Sequence, residues 1–152
     1  MPLLLRPLHP DEFPGYLAYF LPDYAAELVA SYGLPVDIAA TRAKAEIAAD
    51  LPQGPLTPGQ SLLAVTNPGL IGYLWYAADP ASQTAFLNDF HIFPSHQSKG
   101  HGTSAINALE SLLKSHGLTH LRLRVAASNP RAQSLYLALG FQPTGTNMAK
   151  AL

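Results

Sequence analysis

One segment, residues 85 to 115, constrains the fold of this chain more than any other. An apolar run over residues 85 to 93 ends at Pro94, which cannot donate a ladder hydrogen bond and therefore marks the end of a strand. A loop with two glycines follows, and the apolar residues of the next stretch, 103 to 115, recur at helical spacing. The segment therefore predicts a strand, a glycine turn and a helix in direct succession.

The strand after this helix decides how the sheet is connected. Residues 120 to 126 alternate apolar and basic side chains, which predicts a half-buried strand, and Gly117 supplies the stop of the helix before it. Two such strands joined through a helix need a parallel crossover. We therefore expect one parallel pair of strands around the helix.

The remaining patterns predict an α/β fold of the α+β type. Its mixed, mostly antiparallel sheet carries helices on both faces. The whole chain, residues 1–152, fits one domain because no linker or internal repeat divides it. The other expected elements are a strand at 3 to 8, a helix from 12 to 32 that Asp11 caps and Pro22 kinks or breaks, a helix at 36 to 51, strands at 62 to 66 and 70 to 77 joined by the turn Asn67-Pro68-Gly69, a short helix at 129 to 139, and one or two strands from Phe141 onward.

Composition excludes several classes of function. Nine basic and ten acidic residues give a net charge of −1, which leaves no broad electrostatic footprint for nucleic acid. No run approaches the roughly twenty apolar residues of a membrane span, and the N-terminus does not read as a signal peptide, so we expect a cytoplasmic protein. The chain has no cysteine, which removes disulfides, thiolate metal sites and cysteine catalysis. A low charged fraction of 12% is compatible with a homodimer face.

The glycine turn is a candidate anion site. The first amides of a helix have no internal partner, and the helix dipole adds positive charge there. Amides from Ser98 to Thr103, with Lys99 beside them, could therefore hold a phosphate, and a plain strand-to-helix turn is the alternative. The spacing fits neither the Walker loop nor the dinucleotide fingerprint, whose third glycine would fall at Ala105.

A second motif lies about thirty residues further on. The run Asn129-Pro130-Arg131-Ala132-Gln133-Ser134-Leu135-Tyr136-Leu137-Ala138-Leu139-Gly140-Phe141 resembles the Asn-x-x-Ala-x-x-Leu-Tyr-x-x-x-Gly-Phe motif of the GNAT superfamily of N-acetyltransferases. Gln97-x-x-Gly100-x-Gly102 resembles the Gln/Arg-x-x-Gly-x-Gly/Ala signature of the same superfamily, which cradles the pyrophosphate of acetyl-coenzyme A. The resemblance covers nearly the whole chain.

The resemblance implies that the sheet splays open between the strand ending at Phe93 and the strand at 120 to 126, with pantetheine in the gap. It implies that Tyr136 faces the thioester sulfur as the acid. The implied cofactor-binding residues are His91, Ile92, Phe93, Gln97, Ser98, Lys99, Gly100, His101, Gly102, Thr103, Asn129, Ala132 and Tyr136. Two alternatives remain open, because Asn129 could be an ordinary helix cap and Tyr136 a half-buried core tyrosine.

The catalytic base is the least constrained role. Many relatives place a glutamate on the central strands, and this chain has none there. Asp89 and His91 share one face of a strand, so either could accept the amine proton; the alternative is that Asp89 pairs with an arginine and His91 lines the pocket. His91, His96 and His101 recur every five residues, but their spacing does not predict a metal site.

The function implied is transfer of an acetyl group from acetyl-CoA to a primary amine of a small molecule or peptide. Without a cysteine nucleophile, direct attack in a ternary complex is expected. The alternative is a non-catalytic acyl-CoA-binding sensor or scaffold, which the missing glutamate slightly favours and the intact Tyr136 and Asn129 disfavour. The acceptor pocket could be lined by side chains that could equally belong to the core, namely Tyr16, Tyr19, Tyr24 and Glu27.

Overall fold

The computed structural model describes residues 2–152, whose elements fall into two units that are described separately. In chain order the strands and helices are β1 (Leu4–Pro7), α1 (Phe13–Tyr32), α2 (Val36–Asp50), β2 (Gln60–Thr66), β3 (Leu70–Asp79), β4 (Thr84–Ile92), α3 (His101–Ser115), β5 (His120–Leu123) and α4 (Pro130–Ala138). Three short 3-10 turns lie at Pro10–Glu12, Gly54–Leu56 and Pro94–His96. No helix within residues 2–152 has both the length and the apolar character needed to cross a bilayer.

The first unit, residues 2–13 and 53–124, contains the sheet. Its strand order is β1-β2-β3-β4-β5; the first four strands are antiparallel, and β5 runs parallel to β4. The mixed sheet, the hairpin of β2 and β3, and the parallel crossover through α3 are therefore confirmed. They follow from the period-2 strands and from the single helix that separates β4 from β5.

The core of this unit lies between the sheet and one face of α3. Val65, Ile71 and Leu74 of the central strands are at most 1% exposed, as are Ile106 and Leu109 of α3. The helix contacts β1 and β4. Because its apolar residues recur three and four positions apart, one stripe is buried and the opposite face stays in water. This packing fixes where α3 begins, directly after the glycine turn.

The second unit, residues 14–52 and 125–152, contains most of α1 together with α2 and α4. Leu28 packs with Ala39 and Ala43 in the core between α1 and α2, whose small side chains allow the two helices to approach closely. Pro22 lies inside α1 without dividing it, so of the two expected outcomes, a kink or a break, the break is absent. A proline removes one backbone hydrogen bond, and packing of the helix on both sides of it compensates for that loss.

Three expectations about local structure are wrong. Asp11 does not cap a helix; the cap is His9, whose Nδ1 accepts from the amide of Asp11 at 3.3 Å while Glu12 bonds the His9 amide at 2.9 Å. β5 ends at Leu123 rather than at 126, and residues 141–152 form no strand. A strand needs a neighbouring edge to pair with, and a sequence pattern does not say whether that edge is present.

Candidate active site

The C-terminal half of β4 carries the polar residues of the first unit's candidate site. Trp75 of β3 lies opposite Asp89, whereas Tyr76 lies opposite Leu87, so Asn88 is an extra residue that bulges from the ladder. A bulge re-aims the side chains that follow it. Asp89 and His91, two positions apart and both half-buried, therefore share a face as predicted.

One edge of β4 loses its strand partner at the bulge. β4 pairs with β5 only from Thr84 to Leu87, and within residues 2–152 no strand continues that ladder along the rest of β4. On the opposite edge, the amide of Phe93 donates to the carbonyl of Ile71 at 2.8 Å. Because backbone groups of an antiparallel strand alternate in direction, those of Ile92 point away from β3. The end of β4 therefore presents peptide groups to whatever lies along its open edge.

The side chain of Gln97 contacts this edge. Its Nε2 donates to the carbonyl oxygen of Ile92 at 2.7 Å, which ties the glycine loop back to the end of β4. The sequence analysis predicts Gln97 as a cofactor-binding residue, and the structure shows its side-chain amide bonded to the last peptide group of β4.

Gly72 of β3 lies close to the backbone of β4. It lies opposite Ile92, and a Cβ atom added at Gly72 would be 2.1 Å from the carbonyl oxygen of His91 and 3.1 Å from Cα of Ile92. Only glycine leaves room for β4 at this distance. The sequence analysis missed this residue, although an isolated glycine inside an apolar strand is a signal of close backbone approach.

A pair of aromatic rings lies beside His91. Its ring centroid is 5.9 Å from that of Phe93, and the Phe93 ring meets Tyr73 edge-on at 5.4 Å. Tyr73 is 5% exposed; burial raises the pKa of its phenol, and the carboxylate of Glu12 raises that pKa further, so the phenol stays protonated at neutral pH. The sequence analysis missed Tyr73, because this residue lies among core side chains in an apolar strand.

The loop after β4 ends in a helix N-terminus that no side chain caps. Ser98 and Gly100 have φ values of 60° and 81°, and Gly100 is the N-cap of α3. The amide of Ser104 makes the first helical bond, to the carbonyl of Gly100 at 3.1 Å. The three amides before it, those of His101, Gly102 and Thr103, have no intrahelical acceptor and lie at the positive end of the helix dipole.

The uncapped amides at residues 101–103 are a shorter range than the predicted anion site, which ran from Ser98 to Thr103. Gly102 lies within the first turn of α3, and the positive φ values of the loop fall at Ser98 and Gly100. Lys99 is exposed beside the loop. The rings of His96 and His101 are 6.4 Å apart, and among the described residues no three ligating side chains cluster as a metal site would require.

The second unit carries the other motif. Asn129 caps α4, since its Oδ1 accepts from the amide of Ala132 at 3.1 Å. The amide of Ala132 is thereby used within the helix end, while Nδ2 of Asn129 is the donor that this exposed side chain can still offer. Nε2 of Gln133 bonds the carbonyl of Ala126 at 3.0 Å and holds the turn before the helix in place.

Tyr136 is held near the end of α4 by the glycine-phenylalanine pair that closes the motif. Its ring meets that of Phe141 edge-on, with centroids 5.5 Å apart, and the amide of Phe141 donates to the carbonyl of Tyr136 at 3.0 Å. Gly140, at φ 94°, makes this reversal possible. Tyr136 is half-buried, as the core alternative for this residue also expected.

The candidate acceptor residues on α1 include core side chains. Tyr16 is fully buried and stacks on Phe20 with ring centroids 5.5 Å apart. The hydroxyl of Tyr24 donates to Oε2 of Glu46 on α2, and Nε of Arg42 donates to Oε1 of the same carboxylate at 2.9 Å. The hydrogen bond from Tyr24 is the main reason that the pKa of Glu46 is lowered.

The structure thus places the predicted residues in two sets. The strand residues Asp89 and 91–93 lie with the loop 97–103 in the first unit, and Asn129, Ala132 and Tyr136 lie in the second. Within the first unit, the open strand edge and the uncapped helix are joined by Gln97.

Comparisons with known proteins agree with the family that the two sequence motifs indicate. Residues 22–141 match the acetyltransferase (GNAT) family. The chain is 36% identical to the uncharacterized N-acetyltransferase YycN of Bacillus subtilis over 157 aligned positions, which cover all of both chains. The crystal structure of YycN matches 99% of this chain and 98% of its own with a TM-score of 0.93 and 33% identity.

A more distant structure shares the fold. The PaiA N-acetyltransferase of Thermoplasma acidophilum, solved in complex with coenzyme A, matches 97% of this chain and 94% of its own with a TM-score of 0.73 at 17% identity. Family match, full-length relative and fold agree, so this chain belongs to the GNAT family and is an acetyl-CoA-dependent N-acetyltransferase.

Proposed function

We propose that the chain transfers acetyl from acetyl-CoA to a primary amine of a small molecule or peptide by direct attack in a ternary complex. The observation that supports this most is the joining of two binding elements in one unit. An open strand edge at 88–92 leads directly into the uncapped N-terminus of α3. An extended amide-bearing arm with a diphosphate at its end has the complementary chemistry.

In this proposal the diphosphate binds the amides of His101, Gly102 and Thr103. Ser98, Gly100 and Lys99 line the approach, where Lys99 adds a mobile cation. The pantetheine amides pair with backbone groups of the His91-to-Phe93 segment, as a strand would. Gln97 keeps that segment in register with the loop through its bond to Ile92.

The reacting groups are assigned from the family resemblance together with their chemistry. Tyr136 donates a hydrogen bond or a proton to the departing thiolate, since a phenol with an ordinary pKa of about 10 carries its proton at neutral pH and is available as the donor. Asn129 offers Nδ2, and Ala132 contributes only contact. Asp89 or His91 accepts the amine proton, directly or through water. Because both motifs serve one reaction, we propose that residues 1–152 act as a single GNAT domain.

Calorimetric titration with acetyl-CoA tests the cradle, and the chain provides a matched pair of variants. Gly100 and Gly117 have φ values of 81° and 78°, and a Cβ at either meets nothing within 4 Å. Gly100→Leu and Gly117→Leu therefore carry similar backbone strain, but only the first adds bulk beside the proposed phosphate site. We expect the first to lose binding and the second to keep it. Equal binding by both variants would contradict the cradle.

Turnover is tested by thiol release over a panel of polyamines, amino acids, aminoglycosides and peptides. Tyr136→Phe should lower kcat more than it weakens acetyl-CoA binding and should remove the high-pH limb of the rate profile. An unchanged rate would exclude Tyr136 as the acid. Binding of acetyl-CoA without turnover on any amine would instead favour a sensor or scaffold.

A further inference from the structure

One row of side chains crosses four strands of the first unit and ends at His91. In the register of the sheet, Arg6 of β1 lies opposite Ala64 of β2, and Ala64 lies opposite Tyr73 of β3. Tyr73 in turn lies opposite His91 of β4. Residues directly opposite one another on neighbouring strands point to the same face of the sheet. The row therefore runs along one face from β1 to a candidate base of the reaction.

Tyr73 is a fixed member of this row. Its side chain is only 5% exposed. The carboxylate of Glu12, whose charge acts on the Tyr73 phenol, is held by two hydrogen bonds from the guanidinium of Arg6, at 2.8 and 2.9 Å. A buried ring in a packed sheet has little freedom to change its rotamer. Tyr73 can therefore support a neighbouring side chain in one orientation.

Phe93 connects Tyr73 to the imidazole. The Phe93 ring meets the Tyr73 ring edge-on at a centroid distance of 5.4 Å, and it lies 5.9 Å from the His91 ring at an interplanar angle of 56°. Inclined rings with centroids about 4.5–7 Å apart are a favoured arrangement of aromatic pairs. The amide of Phe93 bonds the carbonyl of Ile71 at 2.8 Å, which fixes its backbone. The orientation of the imidazole therefore depends on the Tyr73 ring.

Asp89, the other candidate base, lies opposite a different aromatic residue. Its partner across the ladder is Trp75, whose indole nitrogen donates to Oε1 of Gln60 on β2 at 2.8 Å. The indole is thus oriented by β2. An ordinary imidazole, with a pKa of about 6.5, is also better matched to proton transfer near neutral pH than an ordinary carboxyl group, with a pKa of about 4. The aromatic support and the chemistry both favour His91.

We infer that His91 is the base of the acetyl transfer and that Tyr73 is its positioning residue, acting through Phe93. This inference rests on the proposed function and assigns a role that it left open. The imidazole takes the proton that the acceptor nitrogen loses as its bond to the acetyl carbon forms. The C–S bond breaks, and its electron pair leaves with the coenzyme A thiolate. Tyr73 exchanges no proton in this step and only fixes the orientation of the imidazole.

Variants of two buried tyrosines separate positioning from stability. Tyr73→Leu removes the ring that contacts Phe93, whereas Tyr73→Phe keeps it. Tyr76→Leu is the matched control, because Tyr76 lies on the same strand and is also 5% exposed, but it is opposite Leu87 and on the other face of the sheet. In the thiol-release assay, Tyr73→Leu should lower kcat by about tenfold or more while the KM for acetyl-CoA changes little. Tyr73→Phe and Tyr76→Leu should keep the wild-type kcat.

A double-variant cycle tests whether Tyr73 acts through His91. His91→Gln alone should lower kcat by about 100-fold or more, because the base is lost. Adding Tyr73→Leu to His91→Gln should lower kcat no further, because no base is left to position. Additive losses, a wild-type kcat in His91→Gln, or equal losses of kcat in Tyr73→Leu and Tyr76→Leu would overturn the inference.

NMR of the histidine rings tests the positioning without turnover. The chain has six histidines, and the ring signal of His91 is the one that His91→Gln removes. The ring current of Phe93 acts on this signal, so Tyr73→Leu should shift it, whereas Tyr73→Phe and Tyr76→Leu should leave it in place. A signal that Tyr73→Leu does not move would overturn the inference. A wild type that turns over no amine would refute the proposed function and the role of base, while this signal still shows whether Tyr73 positions His91.

Discussion

Replacing Gly72 by alanine tests whether the position of β4 matters to the chemistry. The added Cβ would lie 2.1 Å from the His91 carbonyl oxygen, and real Cβ contacts essentially never fall under 3.0 Å. The His91 peptide must therefore move by the difference, 3.0 − 2.1, or 0.9 Å. Its neighbour is backbone within a sheet, so the shift is transmitted to Ile92 rather than absorbed by a flexible side chain.

The expected consequences are two. Overpacking of this kind destabilises a protein by about 1–3 kcal/mol. If residues 91–93 align the thioester as proposed, a displacement of this segment near 1 Å lowers kcat/KM by about 100-fold. The acetyl-CoA dissociation constant should rise as well, because the displaced peptide groups of 91–93 would no longer match the pantetheine amides proposed to pair with them.

Gly69→Ala is the matched control. Gly69 precedes the same strand, and a Cβ there meets nothing within 4 Å. The assays are calorimetry with acetyl-CoA, thiol release with the best amine of the panel, and thermal unfolding. Wild-type affinity and turnover in Gly72→Ala, or equal losses in Gly69→Ala, would refute the reasoning. Loss of stability alone, with unchanged affinity, would assign Gly72 to folding only.

Three further predictions concern residues that support the site and the fold. Asn129→Ala should lose about 1 kcal/mol of helix capping, whereas Asn129→Ser keeps an oxygen that can cap the helix. If the serine variant binds acetyl-CoA more weakly at an unchanged melting temperature, the loss of affinity is due to the missing Nδ2 donor. Tyr24→Phe should cost about 1–2 kcal/mol in urea unfolding, because the partly buried carboxylate of Glu46 keeps the donor from Arg42 and loses the donor from Tyr24. A hydrogen bond from Arg6 lowers the pKa of Glu12 from 4.5 to about 2, so this ion pair stabilises the fold fully above pH 4.5 and the stabilisation is lost as the pH falls through 2. Solvent screening limits the stabilisation to about 1 kcal/mol. Arg6→Gln should abolish it, which unfolding curves measured against pH would show.

Each of these has a contrary outcome. Equal affinities of the wild-type and serine variants would confine Asn129 to capping. Unfolding of Tyr24→Phe at the wild-type urea midpoint would mean that water replaces the phenol at Glu46. An acid transition of Arg6→Gln identical to that of the wild type would show that other carboxylates govern unfolding below pH 4.5.

The sheet and its connections could be predicted from the sequence because they depend on local patterns. The run ending at Pro94 and the spacing of apolar residues in α3 each follow from a single period, and the parallel pairing of β4 with β5 follows from the helix between them. The family could be recognised because its two motifs have fixed spacings. Those spacings locate Gly100 and Asn129 in the chain.

What could not be predicted depends on contacts between distant residues. The bulge at Asn88 and the approach at Gly72 arise from the register of two strands, which no single segment encodes. The tail from Phe141 resembles a strand, but its pairing depends on an edge outside its own sequence. The hydroxyl of Tyr24 bonds Glu46, twenty-two residues away, and its helical position alone could not show that.

The half-open edge of β4 has a consequence for the ligand-free protein. The amides on this edge have no acceptor in a neighbouring strand, so their hydrogens should exchange with solvent faster than those of the amides facing β3. A ligand that binds along this edge takes the place of a missing strand, and its affinity adds directly to the resistance of the sheet to unfolding. At one hundred times the dissociation constant that addition is about 2.7 kcal/mol. Slowed deuterium uptake at residues 88–92 on adding the cofactor would therefore show that the bound cofactor protects this edge as a paired strand would.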